Sequence, residues 1–483
     1  MKKYSRSIIP TLLVLIIILL SSCLSGPGDI SGDQADSRQV QTIPPATLTA
    51  ISEMAAASQT SVPDPLGIPW SDLEGLELEF WYIWDLDEPG AGMNAIVERF
   101  NRENEWGITV RAVDQGLVLD PIASVEAAFA EGLVPQVMIS DAAVIPGWYD
   151  SGAIIDLSPF LADPAVGLTE EEKNAFYPGI YENFSITGSD QPGMPFTQSI
   201  QVIYYNTSWA NELGYRLPPL TSEDFRKQSC SFAGEEDPTG IVFSPQADNI
   251  LSQLYAYQGT LLEPGGTRYQ FTSPEMKEAA EDWRQLSEDG CGELIANYPN
   301  PMAVEMEFDR FNSRGALMVM GSTRMMAHVH TGANQTGRPD DWTMLPFFGS
   351  GRSKAVASEL QSVVIFKTTP QEQLASWLFT RYLISPEVQA EWVQYSGLYP
   401  TRKDSLWYLR DFRQENPHWA EGLNLLKYSR STPLHPTWNI IQLALEDAFE
   451  EILSRPDLDL DEQFKNLESL ASELWDEFSD KTE

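Results

Sequence analysis

The chain has 483 residues, with 70 acidic side chains against 31 basic ones and a formal charge of −39. A surface of that sign disfavours nucleic acid and anionic lipid headgroups and favours dispersal in water, without naming a ligand. The length exceeds the roughly 250–300 residues at which one hydrophobic core stops growing, so two lobes are expected.

In chain order, Lys2, Lys3 and Arg6 precede the apolar run from Ile8 to Leu20, which is followed by Ser21, Ser22 and Cys23. The run is shorter than the roughly twenty residues that a membrane-spanning helix needs, and its basic leading end predicts a cleaved export signal over residues 1–22. Small residues before a cysteine where the apolar run stops resemble the lipobox of bacterial lipoproteins. That resemblance implies lipid attachment at Cys23 and extracytoplasmic anchoring to the membrane. Residues 23–65 are rich in Ser, Gly, Pro, Gln, Thr and Ala, and read as a flexible tether.

From Trp70 onward, apolar segments recur at regular spacing. Leu76–Trp81 alternates with Glu77 and Glu79 as a strand. Met93–Asn101 places Ile96, Val97 and Phe100 on one helical face. Ile108–Val113 reads as a second strand, Val125–Ala130 as a helix and Gln136–Ser140 as a third strand. Strands alternating with helices predict a parallel α/β sheet, whose ligands sit beyond the carboxyl ends of strands. Trp84, Asp85 and Asp141 fall at that edge. Trp283, Trp377 and Trp392 lie inside helical periodicity and are expected in the core. Cys230 and Cys291 are expected to pair in an exported protein, two buried thiols being the alternative.

Several segments resemble, in order, the family 1 extracellular solute-binding proteins of ABC importers. They are Phe80-Trp81 with Glu98-Arg99-Phe100-Asn101, then Pro135-Gln136-Val137-Met138 and Ser151 to Pro159. Gly193-Met194-Pro195-Phe196 with Val202 to Asn206 follows, then Phe311 to Gly321, then Ser385 to Gln389 with Leu398 to Arg402. Two departures stand out: Thr221-Ser222-Glu223-Asp224 supplies a helix cap without the family's tryptophan, and Ser322-Thr323-Arg324 replaces an aromatic platform.

The resemblance implies a two-lobed periplasmic-binding-protein-like α/β fold of type II, whose lobes exchange strands through hinge crossovers. Lobe 1 would comprise 66–195 with a return at 350–396; lobe 2 would comprise 196–349 with C-terminal helices over 397–483. It further implies a monomeric, non-enzymatic binding protein without a cofactor. Such a protein passes a small solute, most simply a sugar or oligosaccharide, to membrane-spanning permease subunits.

A sugar presents hydroxyl edges and apolar C–H faces, so its cleft wants aromatic plates beside short polar groups. The candidates are Trp84, Asp85, Asp141, Trp148, Gln198, Asn249, Ser322, Thr323, Glu359, Tyr399 and Trp438; packing, caps or hinge hydrogen bonds are the competing reading for each. His328-Val329-His330 would place two imidazoles on one face of a strand, but no third ligand is indicated and no metal site is expected. Asp457-Leu458-Asp459-Leu460-Asp461 resembles the start of a calcium loop with Glu468 at its twelfth position. Glu462 stands where that loop needs glycine, and Phe464, Leu467, Leu470 and Leu474 favour a capped helix entry. The sequence carries no Gly-x-Ser-x-Gly elbow, no His-Glu-x-x-His helix and no phosphate loop. The alternatives are a lipid-anchored carbohydrate-active enzyme, whose two carboxylates need no motif, and a binding protein coupled to a sensor.

Overall fold

The computed structural model describes residues 64–84, 88–115, 127–128, 131–178, 180–181, 190–235, 237–263, 266, 268–295, 303–335 and 340–482. The export signal, Cys23, nearly all of the tether, Asp85 and most of the helix expected at Val125–Ala130 lie outside the described residues.

Among the described residues the apolar alternation of the sequence resolves into twelve strands. They are β1 (Glu77–Tyr82), β2 (Thr109–Asp114), β3 (Val137–Asp141), β4 (Met194–Asn206), β5 (Thr239–Phe243) and β6 (Gly292–Leu294). Then come β7 (Ala316–Ser322), β8 (Trp342–Leu345), β9 (Phe347–Phe348), β10 (Lys354–Ile365), β11 (Tyr399–Pro400) and β12 (Ser429–Ser431). The hydrogen-bonded order is β2-β1-β3-β10-β4-β7-β5-β6. The first three strands are mutually parallel, and so are β7, β5 and β6. Between them, β10 runs antiparallel to β3, β4 runs antiparallel to β7, and β4 and β10 pair antiparallel with each other.

Those two long strands divide the sheet into two halves. The start of β4 and the end of β10 complete the sheet of β1–β3, while Gln201–Asn206 of β4 pair with β7 and β8. β11 adds a third crossing by pairing Tyr399 with Gln198 and Pro400 with Thr197. This is the two-lobed, strand-exchanging α/β fold.

Each half-sheet is buried on both faces, because strand side chains alternate and helices cover both sides. In β5, Ile241 and Phe243 enter one apolar cluster with Trp283 and Phe449, while Val242 enters another with Tyr204 and Phe308. In β1, Leu78, Phe80 and Tyr82 face a cluster containing Phe379 and Trp377, whereas Trp81 faces Trp148 and Phe366. The helix Glu88–Glu103 buries Met93, Ile96, Val97 and Phe100, spaced as one helical face requires. Trp283, Trp377 and Trp392 are all at most 1% exposed.

Local chemistry sets several boundaries. Thr221 accepts from the Asp224 N–H at 3.1 Å and caps the helix Ser222–Ser229. Asp459 accepts from the N–H groups of Asp461 and Glu462, opening the helix Leu460–Thr482. Glu468 accepts from the backbone of Phe271 and Thr272 at 2.8 and 2.9 Å, so it serves a turn. His328-Val329-His330, read from sequence as a strand, lies in the helix Met326–Gln335. Helical spacing at i and i+2 points the two rings to different faces; Val329, wholly buried among Phe308 and Phe311, drives the local choice. Cys230 and Cys291 are joined by a disulfide with S–S 2.01 Å.

Candidate functional site

The carboxyl ends of β3, β5 and β7 converge on one cavity of about 780 Å³, with β10 running beneath it. β3 contributes Asp141, the turn after β5 contributes Ser244 and Gln246, the first turn of the helix Ala247–Ala256 contributes Asp248, the end of β7 contributes Ser322 and the turn after it Arg324. Glu359 comes from β10, Glu307 and Phe308 from the helix Ala303–Asn312, and Trp438, Asn439, Ile440 and Leu443 from the helix Trp438–Ser454. The cavity is therefore lined from both half-sheets and from the strand that joins them.

Its polar centre is a four-residue charge cluster. Arg324 Nε donates to Glu359 Oε2 at 3.1 Å and to Ser199 Oγ at 3.3 Å. Ser199 Oγ donates to the same carboxylate at 2.8 Å, and Gln201 Nε2 donates to its other oxygen. Asp141 is open to the cavity yet surrounded by protein. Burial raises its pKa, the Arg324 charge opposes the rise and Glu359 adds to it. Burial, and then the charge of Glu359 and a hydrogen bond to it, push Asp248 well above the carboxylate range. Its surroundings thus favour the protonated form of Asp248. For Arg324 burial works against the charge, but Glu359, Asp141 and Asp248 more than offset it and leave the pKa above its ordinary value.

Glu307 is of a different kind. It is 0% exposed, and neither carboxylate oxygen has a hydrogen-bond partner. Burial pushes its pKa up to about 8; the nearby Ser244 hydroxyl softens the rise, without standing in hydrogen-bond geometry, and the Glu305 charge adds to it.

Of the residues expected from sequence, Asp141, Ser322, Glu359 and Trp438 line this cavity. Trp438 does so from a core position, 1% exposed and stacked near Tyr269. Gln198, Thr323 and Tyr399 bind the crossing strands together instead. Gln198 Nε2 donates to Pro400 O at 2.9 Å and its Oε1 accepts from Ser358 Oγ, Thr323 Oγ1 accepts from the Ile200 N–H, and the Tyr399 hydroxyl donates to Trp419 O. Asn249 Nδ2 donates to Ser244 O and shapes the turn after β5. Trp84 packs on Trp392 with ring centroids 4.3 Å apart, and Trp148 sits in the helix Ile145–Asp150 near Phe366.

Arg324, Asp248 and Glu307 were not singled out in the sequence. The first two follow strand carboxyl ends, the rule that picked out Asp141, so that signal was present. Glu307 lies on a helix and carries no comparable sequence signal.

Replacing Arg324 by leucine leaves Asp141 and Glu359 facing each other without a cation. Because the side chain is 37% exposed, the expected loss is discounted to about 2 kcal/mol at pH 8, shrinking toward pH 5 because burial raises the Asp141 pKa and favours its protonated form. Urea midpoints at the two pH values measure it; an equal loss at both would mean that packing of the stem, rather than charge, is responsible.

Two α/β halves joined by crossing strands around a cavity lined from both define a solute-binding protein of the two-lobed class. The chain belongs to the bacterial extracellular solute-binding protein family, whose profile it matches over residues 95–420. A protein of Brucella abortus (strain 2308) described as a binding protein is 22% identical over 307 residues, covering 60% of this chain and 70% of its own. The fold is similar to the cyclic alpha-maltosyl-1,6-maltose binding protein of Arthrobacter globiformis, with TM-score 0.70, 16% identity, and 83% and 99% of the two chains covered. It is equally similar to the sugar-binding protein MalE of Xanthomonas citri, with TM-score 0.70, 18% identity and 83% and 98% covered. UgpB of Mycobacterium tuberculosis, solved with glycerophosphocholine, matches with TM-score 0.67, 17% identity and the same coverage. Among the described residues no group of three His, Cys, Asp or Glu side chains is placed to hold a metal ion, and no helix is long and apolar enough to cross a membrane.

Proposed function

We propose that this chain is the lipid-anchored capture component of an ABC importer. It takes a small hydroxylated solute into the cavity between its lobes and delivers it, chemically unchanged, to a permease. The observation that carries this reading is the cavity itself, lined by Asp141, Asp248, Arg324 and Glu359 from both halves of a sheet joined by three crossings. Bending at such crossings is a known route to lobe closure around a ligand. Hydroxyl-bearing ligands suit the lining: Ser244, Gln246, Ser322, Asn439 and Gln442 offer short polar contacts beside the apolar surfaces of Ile440 and Leu443. The sugar-binding and maltose-binding proteins of the same fold support the solute class.

In this reading one lobe comprises 66–195 with 350–396, and the other 196–349 with 397–483. Lipid on Cys23 and a flexible tether over 23–65 would hold the body near its permease and raise its local concentration there.

A thermal-shift screen with neutral sugars, amino sugars, polyamines and glycerophosphodiesters tests the capture reading. A ligand at a hundred times its Kd adds about 2.7 kcal/mol of stability, and a screen in which no class moves the midpoint would remove the reading. Fatty-acid labelling tests the anchor: the wild-type chain is expected to take up label and Cys23→Ala is not, so label on the variant would refute attachment at Cys23.

A further inference from the structure

We propose that the solute carries a protonated amine beside its hydroxyls, as an amino sugar or amino polyol does. The inference rests on the reading that the cavity is the solute site, and it narrows the class admitted there.

Charge balance in the lining is the first argument. Among the described residues the cavity is lined by Asp141, Asp248, Glu307 and Glu359 against one cation, Arg324. That cation is already engaged, its Nε shared between Glu359 and Ser199. An anionic solute entering here meets four carboxyl groups and a guanidinium already paired, whereas a cation can be matched by a carboxyl that gives up its proton.

The second argument is Glu307, which is independent of the cluster around Arg324. Its carboxyl is completely buried in the cavity wall with neither oxygen hydrogen-bonded. Leaving such a group unsatisfied is costly, and native interiors rarely do so. Glu307 belongs to the cavity lining, so a donor bound in the cavity is the partner proposed for it. A sugar hydroxyl brings a single donor and no charge. An ammonium brings three donors and a positive charge that an ionised Glu307 would pair with.

The proton balance fits the same picture. Burial favours the protonated form of Glu307, so the empty site carries a proton where a cation would sit. When an ammonium docks, Glu307 ionises and its proton passes to the buffer.

Titration calorimetry on the whole protein at pH 7.5, with a matched pair of ligands, tests the proposal. The glucosamine disaccharide and its N-acetylated counterpart share a skeleton and differ in charge; maltose and glucose 6-phosphate extend the panel to a neutral and an anionic sugar. The amine-bearing disaccharide is expected to bind at least about ten-fold tighter than the acetamido one, with an enthalpy that varies with buffer ionisation because a proton is released. Glu307→Gln, which preserves shape, should erase most of that preference with no loss of thermal midpoint. If the acetamido sugar or maltose binds as tightly as the amine, or if the variant keeps the preference, the amine proposal is overturned while solute capture stands. Binding of glucose 6-phosphate in place of the amine would overturn it in the same way. If nothing in the panel binds, the amine proposal and the hydroxylated-solute reading fall together.

Discussion

Glu307→Gln is expected to stabilise the ligand-free protein at pH 8.5 by up to about 5 kcal/mol, while changing it little at pH 4. The wild-type carboxyl titrates near 8 in the folded chain, against an ordinary value of 4.5. Below 4.5 it is protonated in both folded and unfolded states and exerts no pull. Between 4.5 and 8 the unfolded chain releases the proton while the folded chain retains it, so stability falls as pH rises, by about 1.4 kcal/mol per unit. Above 8 both states are ionised and the full loss is present. Glutamine does not titrate, so the gap between variant and wild type should open across that window and then level off. Relaxation around the buried group makes the full figure a ceiling. Urea midpoints for both proteins at pH 4, 6 and 8.5 measure it; parallel profiles would mean that Glu307 ionises normally and has a partner. A residue that costs the empty protein this much has a reason to be there once a cationic group enters the cavity.

The parts of the fold that were legible in the sequence are those set by local pattern. β1, β2 and β3 fall within about a residue of their expected bounds, because alternation of apolar side chains is a backbone-level signal. The caps at Thr221 and Asp459 were legible for the same reason: each is decided within three residues. Asp141 came from the strand-end rule and Glu359 from the polar groups that a sugar cleft wants, and both line the cavity. What was not legible depends on partners far along the chain. His328 and His330 look strand-like, but Val329 is pulled into a core built from Phe308 and Phe311. Trp84 follows a strand as a ligand plate would, yet Trp392, some three hundred residues later, comes within 4.3 Å of it. Arg324 looked like a missing aromatic platform. Its meaning emerges only when Glu359 and Ser199, on two other strands, are placed beside it. Tryptophan count was a poor guide to the site, since large aromatic side chains are drawn first to the core.

Breaking the Cys230–Cys291 bond is expected to cost about 3 kcal/mol, with the loss concentrated in the half of the protein built on β5, β6 and β7. The cysteines are separated by 61 residues, and a cross-link over that span removes substantial freedom from the unfolded chain. It ties the turn after the helix Ser222–Ser229 to the residue that precedes β6, a strand of three residues at the sheet edge. Other contacts at the same seam are close but not covalent. Arg226 pairs with Asp289, and Gly240 of β5 lies so near Ser229 that a Cβ there would stand 1.5 Å from its carbonyl oxygen. Without the bond, β6 should fray before β5, and β5 leads into Ser244 and the helix that carries Asp248. The Cys230→Ser, Cys291→Ser double variant should therefore show early hydrogen exchange at 292–294, with the amides of β1–β3 unchanged. Its urea midpoint should fall below that of the oxidised wild type and match that of the wild type under reductant. Uniform loss of protection across both halves would mean that the lobes unfold as one unit. In that case the strand crossings at β4, β10 and β11 transmit stability, not only motion, between the lobes.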